Sequence, residues 1–348
     1  MRNRVYLDHN ATAPLRPEAR DAMIAALDLP GNPSSVHGEG RRARAIIERA
    51  RGQVAEAFGA QAADIVFTSG ASEAAALGLA GWDPVGAEVE HDAVLAWIRA
   101  DLPVDGSGKV TVAQADQTAL QAANSETGVV QRLPEGLGFV DAVQIAGKKP
   151  FAFDWSGAQR AILSAHKFGG PKGVGALLLK RGTDVAAQMR GGGQEMGRRA
   201  GTENVAAIAG FGAAAEAASR DLSDGIWEEV ESRRDMLEQA LEAEAPDIIF
   251  VARDTGRLPN TTCVAAPGWK GETQVMQMDL SGFAISAGSA CSSGKVRASR
   301  VLKAMGFEER VAESAIRVSI GPETTNEDVL AFAGTWGKHY RRFRQKAA

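Results

Sequence analysis

The stretch Ser164-Ala165-His166-Lys167, followed by Phe-Gly-Gly-Pro-Lys-Gly at 168–173, sets a lysine among a histidine, a serine and glycine-rich backbone. A lysine amine attacks a carbonyl, forming a Schiff base, only as the free base. Bringing its pKa from ~10.4 to near 7 takes roughly 4 kcal/mol of differential stabilisation of the neutral form. Burial and nearby cationic or hydrogen-bonding groups provide it. A His-Lys pair by itself is most simply a solvated lysine before a turn, because lysine is mostly exposed. Here other segments carry complementary chemistry.

Ser69-Gly70-Ala71-Ser72 lies between the apolar run Ile-Val-Phe-Thr and an alanine-rich stretch. A strand entering a helix at this point presents unsatisfied N–H groups and a positive dipole end, which suit an anion. An ordinary N-capping serine has the same appearance. Asp141, in Phe-Val-Asp-Ala-Val-Gln at 139–144, ends a predicted strand. A carboxylate there can hold a pyridine nitrogen protonated and so make the ring an electron sink, with Gln144 in reach of a ring hydroxyl. A turn-forming aspartate is the plainer alternative. His91 precedes an apolar helix and could stack on such a ring or move protons near neutral pH. Together these parts describe a pyridoxal phosphate (PLP) site.

Cys291 sits among small residues in Ser-Ala-Gly-Ser-Ala-Cys-Ser-Ser-Gly at 286–294. A cysteine near pKa 8.5 is only a few per cent thiolate at neutral pH, yet strongly nucleophilic. Cys263, in Thr-Thr-Cys-Val-Ala, reads as an inert core residue of a strand. The two cysteines form no C-x-x-C pair, which argues against a disulfide framework and a cysteine zinc cluster.

The elements that must position these groups alternate between helical and strand patterns, the mark of an α/β fold with a mainly parallel sheet. Apolar spacing predicts helices over 40–58, 73–80 and 226–244. Strands are expected at 64–68, 139–143, 150–154, 174–179, 248–252, 261–265, 283–286 and 316–320, with another near 109–112. The long charged helix 226–244 would separate a large domain from a small one. The 348 residues suffice for both. The formal net charge of −4 offers no general basic field for nucleic acid or anionic membrane. No apolar run approaches the ~18 residues of a membrane span, and the start lacks an apolar signal core, so a cytoplasmic protein is expected.

Eleven segments taken together resemble the cysteine desulfurases of the class V aminotransferase group, within the fold-type I PLP enzymes. They are Tyr-Leu-Asp-His-Asn-Ala-Thr-Ala-Pro (6–14), Gly-Asn-Pro-Ser-Ser-Val-His (31–37), Phe-Thr-Ser-Gly-Ala-Ser-Glu (67–73), Glu-His-Asp-Ala-Val (90–94), Asn-Ser-Glu-Thr-Gly-Val-Val-Gln (124–131), Val-Asp-Ala-Val-Gln (140–144), Ser-Ala-His-Lys (164–167), Gly-Gly-Gly-Gln-Glu (191–195), Arg-Ala-Gly-Thr-Glu-Asn (199–204), Ser-Ala-Gly-Ser-Ala-Cys (286–291) and Ile-Arg-Val-Ser-Ile-Gly (316–321). The resemblance implies a large PLP-binding domain over 13–222 with a mainly parallel seven-stranded sheet. It also implies a smaller α/β domain from 1–12 and 223–348 that carries the Cys291 loop.

By the same resemblance, Lys167 carries PLP, while Ser164, His166, Ala71 and Ser72 bind its phosphate. Thr202 reaches the phosphate of a second subunit, which implies a homodimer. Arg317 grips the carboxylate of L-cysteine, and Asn32, His37 and Asn124 lie near the substrate. Lys167 or His91 moves the Cα proton, Cys291 takes the sulfur as a persulfide, and the sulfur passes to an acceptor such as an iron–sulfur scaffold or a thiolation carrier. No metal is implied. Two departures stand out: Ser125 replaces a second asparagine, and 92–124 is abbreviated. Another class V enzyme (a selenocysteine lyase or an aminotransferase) and a non-catalytic scaffold that kept the fold are the competing readings.

Overall fold

The computed structural model describes residues 4–288 and 298–347. Its strands are β1 (Val5–Tyr6), β2 (Ala63–Thr68), β3 (Val85–Gly86), β4 (Arg99–Ala100), β5 (Ala119–Gln121), β6 (Phe139–Asp141), β7 (Arg160–Ser164), β8 (Gly175–Lys180), β9 (Ile249–Phe250), β10 (Thr261–Ala265), β11 (Phe283–Ala284), β12 (Ser286–Ala287) and β13 (Ala315–Ser319). The main sheet has the order β2-β8-β7-β6-β5. A parallel bridge from Val85 to Thr118 joins the parallel pair β3-β4 to its far edge. Seven strands result, of which only β8 runs against its neighbours. The expected mainly parallel sheet is therefore present.

Strands β5 to β8 are buried along nearly all their length, so they read as continuous apolar runs rather than alternating ones. Helices Pro17–Leu27, Gly38–Ala57 and Val205–Ser223 cover one face, where Ile47, Val54, Phe67, Leu163 and Phe211 pack. Val205–Ser223 starts where Asn204 Oδ1 accepts from Ala207 N at 3.1 Å. Its alanines and glycines let helices approach closely; a Cβ on Gly212 would lie 2.7 Å from Ala50 Cα. Helix Ala71–Leu79 lies on the other face with Leu77, Leu79, Phe139 and Leu177.

A second sheet, β12-β13-β10-β9, packs with helices Ile226–Glu244 and Asn326–Ala347 around Trp269, Phe332 and Trp336. Helix Ile226–Glu244 has the bounds read from its apolar spacing. Cys263 is fully buried in β10, and burial pushes its thiol well up, as expected for an inert core residue.

Two strand expectations fail. Residues 150–154 do not form a strand; the helix Phe153–Ser156 occupies that stretch. Phe153 N and Asp154 N donate to Phe58 O and Gly59 O, both at 2.8 Å, which ties the stretch to a helix end. The sheet strand here is β7, which ends at Ser164. Near 109–112 there is only an antiparallel bridge between Val104 and Val110. No described helix is long and apolar enough to cross a membrane.

Candidate active site

A cavity of about 640 Å³ opens at the ends of β2, β5, β6 and β7. In open parallel sheets, ligands bind outside the carboxyl ends of the strands. Ser72, His91, Asp141, Gln144, Ser164, His166 and Lys167 all line it, as do Ala71 and Lys172. Residues spread over about a hundred positions of sequence thus meet in one place.

At one end, helix Ala71–Leu79 presents its first N–H groups beside Ser72, with Ser164, His166 and Lys172 around them. Glu73 also lines this end, but its carboxylate is engaged by Ser69 N at 2.7 Å and Arg199 Nε at 2.8 Å. His166 faces Thr12 Oγ1 at 3.2 Å. Burial, then Lys167, Lys172 and Lys148, push its pKa down to about 4. A neutral imidazole among three lysines is an environment that a bound anion would relieve.

At the other end, Asp141 is buried, and its Oδ1 accepts from Val143 N at 2.9 Å. Burial raises its carboxyl above the ordinary range, against the opposing pull of His91 and Lys167. His91 caps helix Asp92–Leu95, its Nδ1 accepting from Ala93 N at 3.1 Å. That bond fixes Nδ1 as the unprotonated nitrogen of the ring.

The Lys167 amine donates to Asn10 O at 2.8 Å and Ala11 O at 3.0 Å. Asn10 O also accepts from Gln144 Nε2 at 2.9 Å. Gln144 Oε1 in turn takes a hydrogen bond from Lys148 Nζ at 2.7 Å. Lys148 is buried without a carboxylate partner among the described residues, and burial holds its amine well below the usual lysine range. Sequence reasoning missed both Asn10 and Lys148. Asn10 was visible only as part of an N-terminal motif, and nothing marked Lys148 as buried.

Other expected residues stand apart from the cavity. Asn124 does not line it. Its amide is committed inside the loop, accepting from Glu126 N and Thr127 N and donating to Val89 O and Gln121 Oε1. Ser125 occupies the wall in its place. Asn32 is exposed and turns its Oδ1 to Ser34 N, while His37 caps helix Gly38–Ala57. Thr202 lines a separate, smaller cavity of about 170 Å³ behind Ser69 and Gly173. Arg317 stands one layer behind the wall: Nη1 donates to Ser125 O at 2.9 Å and Nη2 to Asp8 Oδ1 at 2.7 Å. Its Nε has no partner among the described residues. Arg317 pairs in register with Ser286 of β12, the strand that leads toward Cys291. Cys291 itself lies outside the described residues.

This arrangement fits the cofactor that the sequence resemblance implies. Amide and cationic donors suit a phosphate, an amine suits the aldehyde carbon, and a buried carboxylate suits a ring nitrogen. No group of three or more described His, Cys, Asp or Glu residues is placed to hold a metal ion. The fold and the cavity define an α/β protein of the fold-type I kind, with a lysine-lined cavity at the sheet's carboxyl edge. The aminotransferase class-V family model matches residues 5–332, and the chain belongs to that family. It is 41% identical to a cysteine desulfurase of Cereibacter sphaeroides, over 94% of this chain and 93% of the relative. To the cysteine desulfurase IscS of Dictyoglomus turgidum it is 37% identical, over 94% and 92%. Among solved structures, a NifS-like protein from Rickettsia africae superposes with a TM-score of 0.88 at 29% identity, covering 97% of this chain and all of that one. SspA in complex with cysteine superposes at 0.74 with 25% identity, over 92% of this chain and 100% of that one.

Proposed function

We propose that this protein is a PLP-dependent cysteine desulfurase. The observation that carries the reading is the convergence of Lys167, His91, Asp141, Gln144, Ser164 and His166 on one cavity in a chain of this family. The relatives' names supply the substrate, L-cysteine.

When bound, PLP draws electrons from the substrate's α-carbon through its protonated ring. The chain's residues do the rest. Ser72, Ser164, His166 and the helix N-terminus would hold the phosphate. Asp141 would keep the ring nitrogen protonated, and the imidazole of His91 would lie against the ring. Gln144 has its oxygen taken by Lys148 and one Nε2 hydrogen by Asn10 O, which leaves its second Nε2 hydrogen for a ring hydroxyl. Lys167 accepts the Cα proton, since His91 Nδ1 is taken by Ala93 N and its Nε2 carries the ring proton; Asn10 O and Ala11 O hold the Lys167 amine in place. To take the substrate carboxylate in a planar fork, Arg317 would exchange its bonds to Ser125 O and Asp8 Oδ1 for the substrate's two oxygens.

The overall conversion balances. The Cβ–S bond of L-cysteine breaks, and a sulfur–sulfur bond forms to Cys291. The Cys291 thiolate supplies the electron pair of the S–S bond, the Cβ–S pair stays on Cβ, and the proton given up by the Cys291 thiol balances the one that completes alanine's methyl group. The sulfur then leaves to an acceptor protein, such as an iron–sulfur scaffold. We read residues 13–222 as the cofactor domain and 1–12 with 223–348 as the smaller one; the separate cores around Phe211 and Trp336 support this. We also read the protein as a cytoplasmic homodimer in which Thr202 serves the partner's phosphate, since it lies away from its own chain's cavity.

The test is release of alanine and sulfide from L-cysteine and dithiothreitol by the PLP-loaded protein. Equimolar products that disappear in Cys291→Ser support the reading. Alanine production unchanged in Cys291→Ser contradicts the assigned thiol, and no alanine at all contradicts the activity.

A further inference from the structure

Gln121 is a buried polar residue that the mechanism above leaves unused. It ends β5, is 3% exposed and forms part of the cavity wall. Its amide has two unlike ends, and the surrounding network assigns them. Asn124 Oδ1 accepts from Glu126 N at 2.9 Å and Thr127 N at 2.8 Å. That makes Asn124 Nδ2 the donor, which reaches Val89 O at 3.0 Å and Gln121 Oε1 at 3.3 Å. With its oxygen engaged, Gln121 is left with Nε2, which is buried and has no acceptor among the described residues. The backbone at this point is pinned as well, since Gln121 N donates to Glu90 Oε1 at 2.9 Å. Leaving a buried amide donor unpaired costs ~1–3 kcal/mol, so such a group in a cavity wall indicates an acceptor gained in the occupied state.

The strand register names the acceptor. β5 and β6 are parallel, and Gln121 lies opposite Asp141. Neighbouring strands are about 4.8 Å apart, and side chains at paired positions share a face of the sheet. Asp141 has one backbone donor, Val143 N, while burial works against its charged form. A ring-nitrogen partner has to be charged, so a second donor is what this carboxylate lacks.

We propose that Gln121 is a positioning residue of the cofactor site, its Nε2 donating to the Asp141 carboxylate in the loaded enzyme and turning that carboxylate toward the ring nitrogen. A neutral amide does this without adding charge. An apolar side chain of equal length would fill the space and leave Asp141 with a single donor. Asn124 then acts through Gln121: it sets which end of the amide faces Asp141. The inference rests on the reading of Asp141 as the ring-nitrogen partner.

The experiment titrates PLP into apoenzyme of wild type, Gln121→Met, Asp141→Asn and the double variant, following the dissociation constant and the visible absorption spectrum. Gln121→Met is expected to bind PLP about tenfold more weakly, the worth of one hydrogen bond to a charged group, with a shifted absorption maximum. In the Asp141→Asn background the same change is expected to alter affinity less than twofold. Wild-type affinity and spectrum in Gln121→Met overturn the inference. An equal loss in both backgrounds does so too, because the amide would then act elsewhere. Asp141→Asn indistinguishable from wild type overturns the reading of Asp141 and the inference together. Should Gln121→Met apoenzyme not fold, Gln121→Leu decides by the same readouts. It has no donor and no proton to share with Asp141, and about tenfold weaker binding is expected; unchanged binding overturns the proposal.

Discussion

Adding one methyl group behind the anion end of the cavity should loosen the cofactor more than the fold. Gly175 starts β8, opposite Thr68 on one side and Ser164 on the other. A Cβ there would lie 2.7 Å from Gly70 C and Leu163 O and 2.8 Å from Gly70 Cα. All three are backbone atoms, so no side chain can swing away. Reaching the ~3.5 Å of an ordinary carbon contact requires the backbone to retreat by about 0.8 Å. Leu163 is clamped within the sheet, so Gly70 is the point that yields, and the start of helix Ala71–Leu79 moves with it. Overpacking of this kind costs about 1–3 kcal/mol. For a chain of 348 residues that lowers Tm by roughly 1.5–4 °C. An N–H donor displaced by that much leaves hydrogen-bond range. Losing one bond to a charged phosphate weakens binding roughly ten- to hundredfold. The assay is titration of Gly175→Ala apoenzyme with PLP, alongside a thermal melt. Gly52→Ala is the control: its Cβ meets nothing within 4 Å on helix Gly38–Ala57, and it should gain ~0.5–1 kcal/mol. If Gly175→Ala melts lower by the expected amount yet binds PLP within twofold of wild type, the assignment of this helix start as the anion site is refuted.

Further outcomes follow from the same structure. His9 is buried with its pKa pushed down to about 4 by burial and Lys148, so it binds its proton more readily when unfolded. Its contribution to stability is complete above pH 6.5 and falls away as the pH drops toward 4, by roughly 3 kcal/mol. Urea unfolding of wild type and His9→Asn between pH 4 and 7 should show the variant losing less, and parallel curves would contradict this. Glu195 is buried with a positive φ of 47°, and both its oxygens meet Arg51, at 3.0 and 3.1 Å. Glu195→Ala leaves Arg51 with Glu48 and Ile65 O but takes the acceptor from Phe67 N, and is expected to cost about 1–3 kcal/mol in urea unfolding; a loss under about 0.5 kcal/mol would show the pair to be dispensable. Arg317→Lys keeps a cation near Asp8 but loses the fork, so KM for L-cysteine should rise about tenfold with a smaller change in kcat. An unchanged KM would remove Arg317 from the substrate site.

The sequence exposed local chemistry better than it exposed long-range pairing. Helix Ile226–Glu244 was legible because its apolar spacing runs unbroken to Ala245-Pro246. The cavity residues were legible because each closes a strand or opens a helix, where polar side chains among apolar runs are conspicuous. The order of the seven strands left no local trace, since it depends on pairings between distant segments such as β2 with β8. Alternating Phe151 and Phe153 imitate a strand, because a period of two also arises where a short helix seats one aromatic in the core. Asn124 was misplaced for a related reason. A motif fixes which residue stands at a position but not which way its amide turns, and here neighbouring backbone N–H groups turn it inward. The buried neighbours Lys148 and Gln121 looked like ordinary polar residues until the fold enclosed them.

The central claim is that the amine of Lys167 carries the cofactor. Borohydride reduction of the PLP-loaded, active protein followed by peptide mass mapping tests it directly. The cofactor-derived mass is expected on the peptide containing Lys167, with Lys172 and Lys148 unmodified. Cofactor-loaded, active protein in which Lys167 is recovered unmodified would contradict the account.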